Sequence, residues 1–89
     1  MRVAQTRLFA KTAKKLHPNQ KRDLDAAVRV VVADPLVGDE KAGDLRGVRA
    51  HKFRMVEHLT LLAYRCDGGA ITLLALGAHE HFYRDIKRD

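Results

Sequence analysis

Leu59-Thr60-Leu61-Leu62-Ala63-Tyr64-Arg65-Cys66-Asp67-Gly68-Gly69-Ala70-Ile71-Thr72-Leu73-Leu74-Ala75-Leu76 is the stretch whose reading decides the fold class. Its first part, Leu59 to Tyr64, is apolar on both faces, as expected of a central strand. Cys66-Asp67-Gly68-Gly69 reads as a turn, because glycine tolerates positive φ. Ala70 to Leu76 then returns antiparallel as a buried strand. Just upstream, Val48 to Val56 carries a broken alternation: Val48 and Ala50 lie in one phase, Phe53 and Met55 in the other. The slip falls at His51-Lys52, where a bulge, a strand break or an exposed edge accounts for it.

The first half of the chain has a different period. Arg2 to Ala4 is a candidate short edge strand. From Thr6 to Leu16 the pattern is helical, with Phe9, Ala13 and Leu16 on one stripe and Lys11, Lys14 and Lys15 off it. Pro18 stops that helix and suits the first turn of another; Asn19 is the alternative cap. The second helix is predicted to run to about Ala33, burying Leu24, Ala27, Val28, Val31 and Val32. Asp34-Pro35 closes it, and residues 36–47, with three glycines, read as a loop. The predicted class is α+β: two N-terminal helices packed on a small antiparallel sheet, in the order (β)ααβββα.

The final helix of that order is Gly77-Ala78-His79-Glu80-His81-Phe82-Tyr83-Arg84-Asp85-Ile86-Lys87-Arg88. In a helix, His79, Phe82, Tyr83 and Ile86 share one face, setting a histidine and a tyrosine one turn apart among cations. The whole chain has 89 residues and a formal charge of +6, which points to an anionic partner. The charge is segregated. Arg2, Arg7, Lys11, Lys14, Lys15, Lys21 and Arg22 precede any acid; residues 23–44 are acidic; Arg46, Arg49, Lys52, Arg54 and Arg65 follow. The length reads as a single domain. One cysteine excludes an internal disulfide and fits a reducing compartment. With no signal segment and no membrane-spanning apolar run, the expected location is cytoplasmic, with no membrane partner.

These features together resemble the RelE/ParE superfamily of bacterial type II toxins. The resemblance rests on the loop Gly43-Asp44-Leu45-Arg46-Gly47, similar to that family's Leu-x-Gly entry to the sheet. It rests also on the basic strand Val48 to Arg54 with the apolar strand ending Ala63-Tyr64-Arg65, and on the His79-to-Tyr83 tail, similar to that of YafQ-like and YoeB-like members. It covers nearly the whole chain. It implies a toxin held inactive by a cognate antitoxin with an acidic segment. Many members cleave messenger RNA on the ribosome; the ParE branch instead poisons DNA gyrase. His79 matches the catalytic histidine of YafQ-like toxins, and Tyr83 falls at the C-terminal aromatic position. Arg49, His51, Lys52 and Arg54 lie on the strand that supplies basic groups. The glutamate of YoeB-like members has no clear counterpart; Glu57 and Glu80 match only by type.

Metal-free RNA cleavage uses the ribose 2′-OH as nucleophile. It needs a base for that hydroxyl, an acid for the 5′-oxygen and cations for the phosphorane charge. The expected catalytic set is His79, Tyr83, His51 and Arg65, with Arg49, Lys52, Arg54 and Arg46 as RNA or phosphate contacts. Histidine can take either proton-transfer role near neutrality, and arginine gives bidentate phosphate donors. No histidine pair has zinc-ligand spacing, so neither metal nor cofactor is expected. The rival function is a ParE-like, non-enzymatic gyrase inhibitor that does not need His79. Lys11, Lys14 and Lys15 read as a general electrostatic surface.

Overall fold

The computed structural model describes residues 2–41 and 45–78. In chain order the elements are β1 (Arg2–Gln5), α1 (Arg7–Lys14), α2 (Pro18–Ala33), β2 (Asp39–Glu40), β3 (Val48–Met55), β4 (His58–Asp67) and β5 (Ala70–Gly77). One sheet holds the strands in the order β1-β5-β4-β3-β2. Two helices on a sheet agree with the expected class, but the sheet is mixed. β1 runs parallel to β5, whereas β2, β3, β4 and β5 pair antiparallel in turn. Four exposed residues in β1 carry no periodic signal that fixes a direction. The two-residue β2 lies inside the stretch expected to be loop. The expected C-terminal helix lies outside the described residues, as do Gly43 and Asp44 of the loop motif.

Local chemistry sets the helix ends. Thr6 caps α1: its Oγ1 accepts the Phe9 N–H at 3.1 Å and donates to the Leu74 carbonyl at 2.8 Å. One hydroxyl thus starts a helix and ties it to β5. Pro18 is the first residue of α2, and the His17 N–H donates to Gln20 Oε1 at 2.8 Å. Phe9 of α1 and Leu24, Ala27 and Val31 of α2 are buried against Met55, Leu62, Tyr64, Ile71, Leu73 and Leu76 of the sheet. Val31, Leu62 and Ile71 are fully buried, each contributing roughly 1.5–3 kcal/mol.

The expected irregularity at His51-Lys52 does not occur. β3 and β4 pair without a shift from Val48↔Arg65 to Met55↔His58. The apolar phase changes because different ends of β3 are covered on different faces. Phe53 and Met55 pack in the core under the helices, whereas Val48 is buried on the opposite face with Ala63 and Ala75, beside Leu8, Leu45, Leu61 and Leu74. The register shift lies instead between β4 and β5: Ala63 pairs with Ala75 and Tyr64 with Leu73, which leaves Leu74 as an extra residue. It brings Leu76 onto the same face as Ile71 and Leu73.

A buried clasp closes the end of the sheet near β2. Tyr64 is fully buried. Its hydroxyl donates to the Pro35 carbonyl at 2.6 Å and accepts the Gly38 N–H at 3.0 Å. Gly38 is needed there, since a Cβ would sit 2.8 Å from the Tyr64 hydroxyl and 3.0 Å from the Ala50 carbonyl carbon. Arg49 Nη1 donates to the Gly38 carbonyl at 2.8 Å and holds the loop from the other side. Tyr64→Phe strands a buried N–H and a carbonyl. It is expected to lower stability by about 1–3 kcal/mol in urea unfolding, with an unchanged far-ultraviolet spectrum.

The β3–β4 connection is a two-residue turn, Val56-Glu57, with φ of 47° and 70°. Left-handed backbone at both positions favours Asn-Gly and costs a β-branched valine roughly 1–2 kcal/mol. Asp23 of α2 offsets part of this by accepting the Val56 N–H at 2.8 Å. Replacing Val56-Glu57 by Asn-Gly should therefore raise the unfolding free energy by about 1–2 kcal/mol, read as a rise in Tm.

Candidate nucleic-acid interface

Successive residues of a strand point to opposite faces of the sheet, which splits the basic strand in two. Arg49 and His51 share the face of Phe53 and Met55, beneath α2; register places Lys52 and Arg54 on the opposite face, that of Val48 and Ala63, although Arg54 also lines the groove beside α2. Arg49 is occupied. Besides the Gly38 carbonyl it reaches the Leu36 carbonyl at 3.4 Å, and its Nη2 lies 3.9 Å from Glu40. Glu40 is exposed, so that ion pair adds little. Arg49 is thus an anchor of the loop before β2.

His51 stacks on Phe53, with ring centroids 6.2 Å apart and planes 10° from parallel. Both line a groove of about 200 Å³ with Asp23, Ala26, Ala27, Val30 and Arg54. Burial holds the His51 pKa below its ordinary value of 6.5, which favours the neutral ring.

The face of Val48 and Ala63, against which Leu8 of α1 also packs, collects the remaining cations. Lys52 pairs with Leu61, and Leu61 pairs on its other side with Gly77 at the end of β5. Arg54 pairs with Leu59, whose side chain is 59% exposed. Arg65 lies between Val48 and Thr72, four residues along β4 from Leu61, or roughly 13 Å. The exposed Arg46 precedes Gly47, and Arg65 Nη1 lies 3.6 Å from where a Cβ on Gly47 would be. Arg65 thus reaches the segment that carries Arg46, and Lys52 and Arg54 lie toward the other end of β3. Among the described residues none of these four side chains has an ion-pair partner. Register places the carboxylates of Asp39 and Asp67 on the same face, Asp39 beside Ala50 between the two groups and Asp67 beyond Arg65 on β4. His79 and Tyr83 lie outside the described residues. Among the described residues no three His, Cys, Asp or Glu side chains group so as to hold a metal ion, and no helix is long and apolar enough to cross a membrane.

The model of the ParE-like toxins of type II bacterial toxin–antitoxin systems matches residues 3–87. The chain belongs to this family. It is a toxin of the RelE/ParE superfamily. No curated protein sequence matches it. Its fold is similar to that of the toxin in the intact Escherichia coli RelBE toxin–antitoxin complex, with a TM-score of 0.72 at 16% identity over 89% of this chain and 96% of that one. The YoeB/ParE toxin from Agrobacterium tumefaciens gives 0.72 at 15% identity, over 89% of this chain and 99% of that one. The isolated E. coli RelE toxin gives 0.69 at 16% identity, over 98% and 96%. At such identities the likeness is one of fold.

Sequence reasoning overlooked the anchoring roles of Arg49 and Tyr64. One signal for Tyr64 was available: a tyrosine that interrupts the aliphatic run Leu61-Leu62-Ala63 needs a partner for its hydroxyl once buried.

The depressed pKa of His51 gives this toxin a testable pH dependence. The unfolded chain takes up the proton first, near the ordinary pKa of 6.5, so the unfolded state binds more protons as pH falls. Stability is therefore whole above that value and declines as pH falls through the folded pKa. Urea unfolding between pH 8 and pH 5 should show this decline, and His51→Gln should flatten it just below the ordinary value of 6.5. Equal slopes in the two proteins would remove His51 as its source.

Proposed function

We propose that this toxin is a metal-free, ribosome-dependent mRNA endonuclease that acts in the bacterial cytoplasm and is neutralised by a cognate antitoxin. The observation that carries the reading is a register: Lys52, Leu61 and Gly77 lie side by side on β3, β4 and β5. The chain thus leaves the sheet about 10 Å from Lys52, two strand spacings away, as it enters the segment bearing His79 and Tyr83. Lys52 and Arg54 neutralise the scissile phosphate, and Arg65 with Arg46 holds the backbone further along the strand. His79 transfers the proton, as base for the 2′-OH or acid for the 5′-oxygen, and Tyr83 orients the reacting nucleotide. His51, turned beneath α2, lies off this face and acts through Phe53 and Arg54 in the groove they share. The exposed Leu59 offers an apolar surface to a base.

An antitoxin partner is supported by the family and by its solved relatives, among them RelE in complex with a RelBc antitoxin peptide. Its acidic segment would cover the same cations. The second reading, a non-enzymatic gyrase inhibitor, is favoured by the ParE-like character of the matched family. It is favoured too by the face of Lys52 and Arg65, which among the described residues offers cations but no histidine.

Inducible expression in a bacterium separates the two. Primer extension on mRNA and plasmid topology are followed together for the wild type, His79→Ala and the double variant Lys52→Gln/Arg54→Gln. Cleavage should fall by at least about tenfold in each variant, equivalent to about 1.4 kcal/mol. Intact mRNA with altered plasmid topology would replace the nuclease reading by the gyrase one.

A further inference from the structure

Two surfaces away from the basic strand complement each other. The first is the turn after α2, where Leu36 is 69% exposed and Val37 38% exposed. The turn is held rigidly. The Leu36 N–H donates to Asp34 Oδ1 at 3.2 Å, and the Val37 N–H donates to the Asp34 carbonyl at 2.9 Å. On either side of them the Tyr64 hydroxyl donates to the Pro35 carbonyl and accepts the Gly38 N–H. Two apolar side chains are thus displayed to water on a fixed backbone, where an apolar partner gains by covering them. Residues 34–40 also carry three carboxylates, Asp34, Asp39 and Glu40, and no cation. Arg49, which packs on the turn, and Lys41 offset only part of that charge.

The second surface is a groove of about 400 Å³ between α1 and α2. Phe9 and Ala13 of α1 and Leu24 and Val28 of α2 give it apolar walls. Lys14, the last residue of α1, and Lys21, in the first turns of α2, stand where the two helices are joined. Among the described residues neither lysine has an ion-pair partner, although Asp25 lines the same groove. The surroundings are basic, since residues 1–22 hold seven lysines and arginines and no acid. Such a groove suits an apolar side chain flanked by carboxylates, which is what the turn after α2 displays. The two cannot meet within one chain. The turn is pinned to the sheet beyond the end of α2 at Ala33, about 14 Å along the helix from Leu24.

We infer that the Leu36-Val37 turn of one toxin docks in the α1–α2 groove of a second copy. Leu36 enters between the helices, and the carboxylates beside it meet Lys14 and Lys21. The contact is heterologous, because each copy offers a different surface and keeps its other one free. Association is therefore head-to-tail and open-ended. The fixed turn and the preformed groove lose little conformational entropy on docking. Two apolar side chains and a few exposed ion pairs make a weak, reversible contact. Neither reading of how the toxin acts enters into it.

The test is sedimentation velocity on the full-length toxin from about 1 μM to about 1 mM. The average mass should rise with concentration past that of a dimer, and should fall when salt screens the ion pairs. Leu36→Asp removes the apolar knob, and Lys14→Glu/Lys21→Glu reverses the charge of the groove; all three positions are exposed. Each variant alone should associate at least about tenfold more weakly than the wild type, equivalent to about 1.4 kcal/mol. Mixed in equal amounts, the two should form a one-to-one dimer and nothing larger, because one keeps the groove and the other the turn. In nuclear magnetic resonance spectra of the nitrogen-15-labelled wild type, the Ala13, Leu24, Leu36 and Val37 amides should shift together as concentration rises. A wild type that stays monomeric throughout would overturn the inference and leave the groove to an acidic segment of another protein. Variants that stay apart when mixed would overturn it in favour of a symmetric contact. Shifts confined to the turn or to the groove would overturn it too. None of these outcomes depends on whether mRNA is cut, so failure here and failure of the nuclease reading are distinguishable.

Discussion

The Tyr64 hydroxyl is the contact on which the useful features of this molecule depend. It is buried at the centre of the sheet and must donate and accept where no water competes. Its partners, the Pro35 carbonyl and the Gly38 N–H, lie on the segment that joins α2 to the sheet. That segment is pulled under the helix side just before β2. β2 is consequently only two residues long, and among the described residues no strand pairs with the outer edge of β3 beyond Ala50. Arg49 locks the same segment through the Gly38 carbonyl. An arginine that reads as a phosphate ligand is thus spent on architecture.

The pleat imposes the second constraint. Five basic or titratable residues lie on or beside β3: Arg46, Arg49, His51, Lys52 and Arg54. Alternation divides those within the strand between the face that packs under α2 and the face of Val48 and Ala63. Burial beside Phe53 holds His51 toward its neutral form, whereas Lys52 and Arg54 remain exposed. The second face adds Arg65 from β4 and meets the end of β5 at Gly77.

Much of this was legible in the sequence. Both helices, the stop at Pro18, the glycine turn and the three long strands follow from apolar period and from residues with restricted or permissive backbones. The parallel pairing of β1 with β5 was not legible, because it joins residues far apart in the chain through a strand exposed throughout. The register shift was sought at His51-Lys52, where the pattern slips, but lies at Leu74, inside an unbroken apolar run. Such a run looks the same whether or not an extra residue is inserted, and the slip in β3 reflects which neighbours cover each end.

The sequence by itself determined the class of fold, the basic character and the resemblance that led to the toxin family, because these depend on composition, period and the order of motifs. Only the tertiary structure decided which cations share a face and where β2 stops pairing with β3. The phase of a pleat, the reach of one tyrosine hydroxyl and the point where a strand ends are set by contacts between residues distant in the chain.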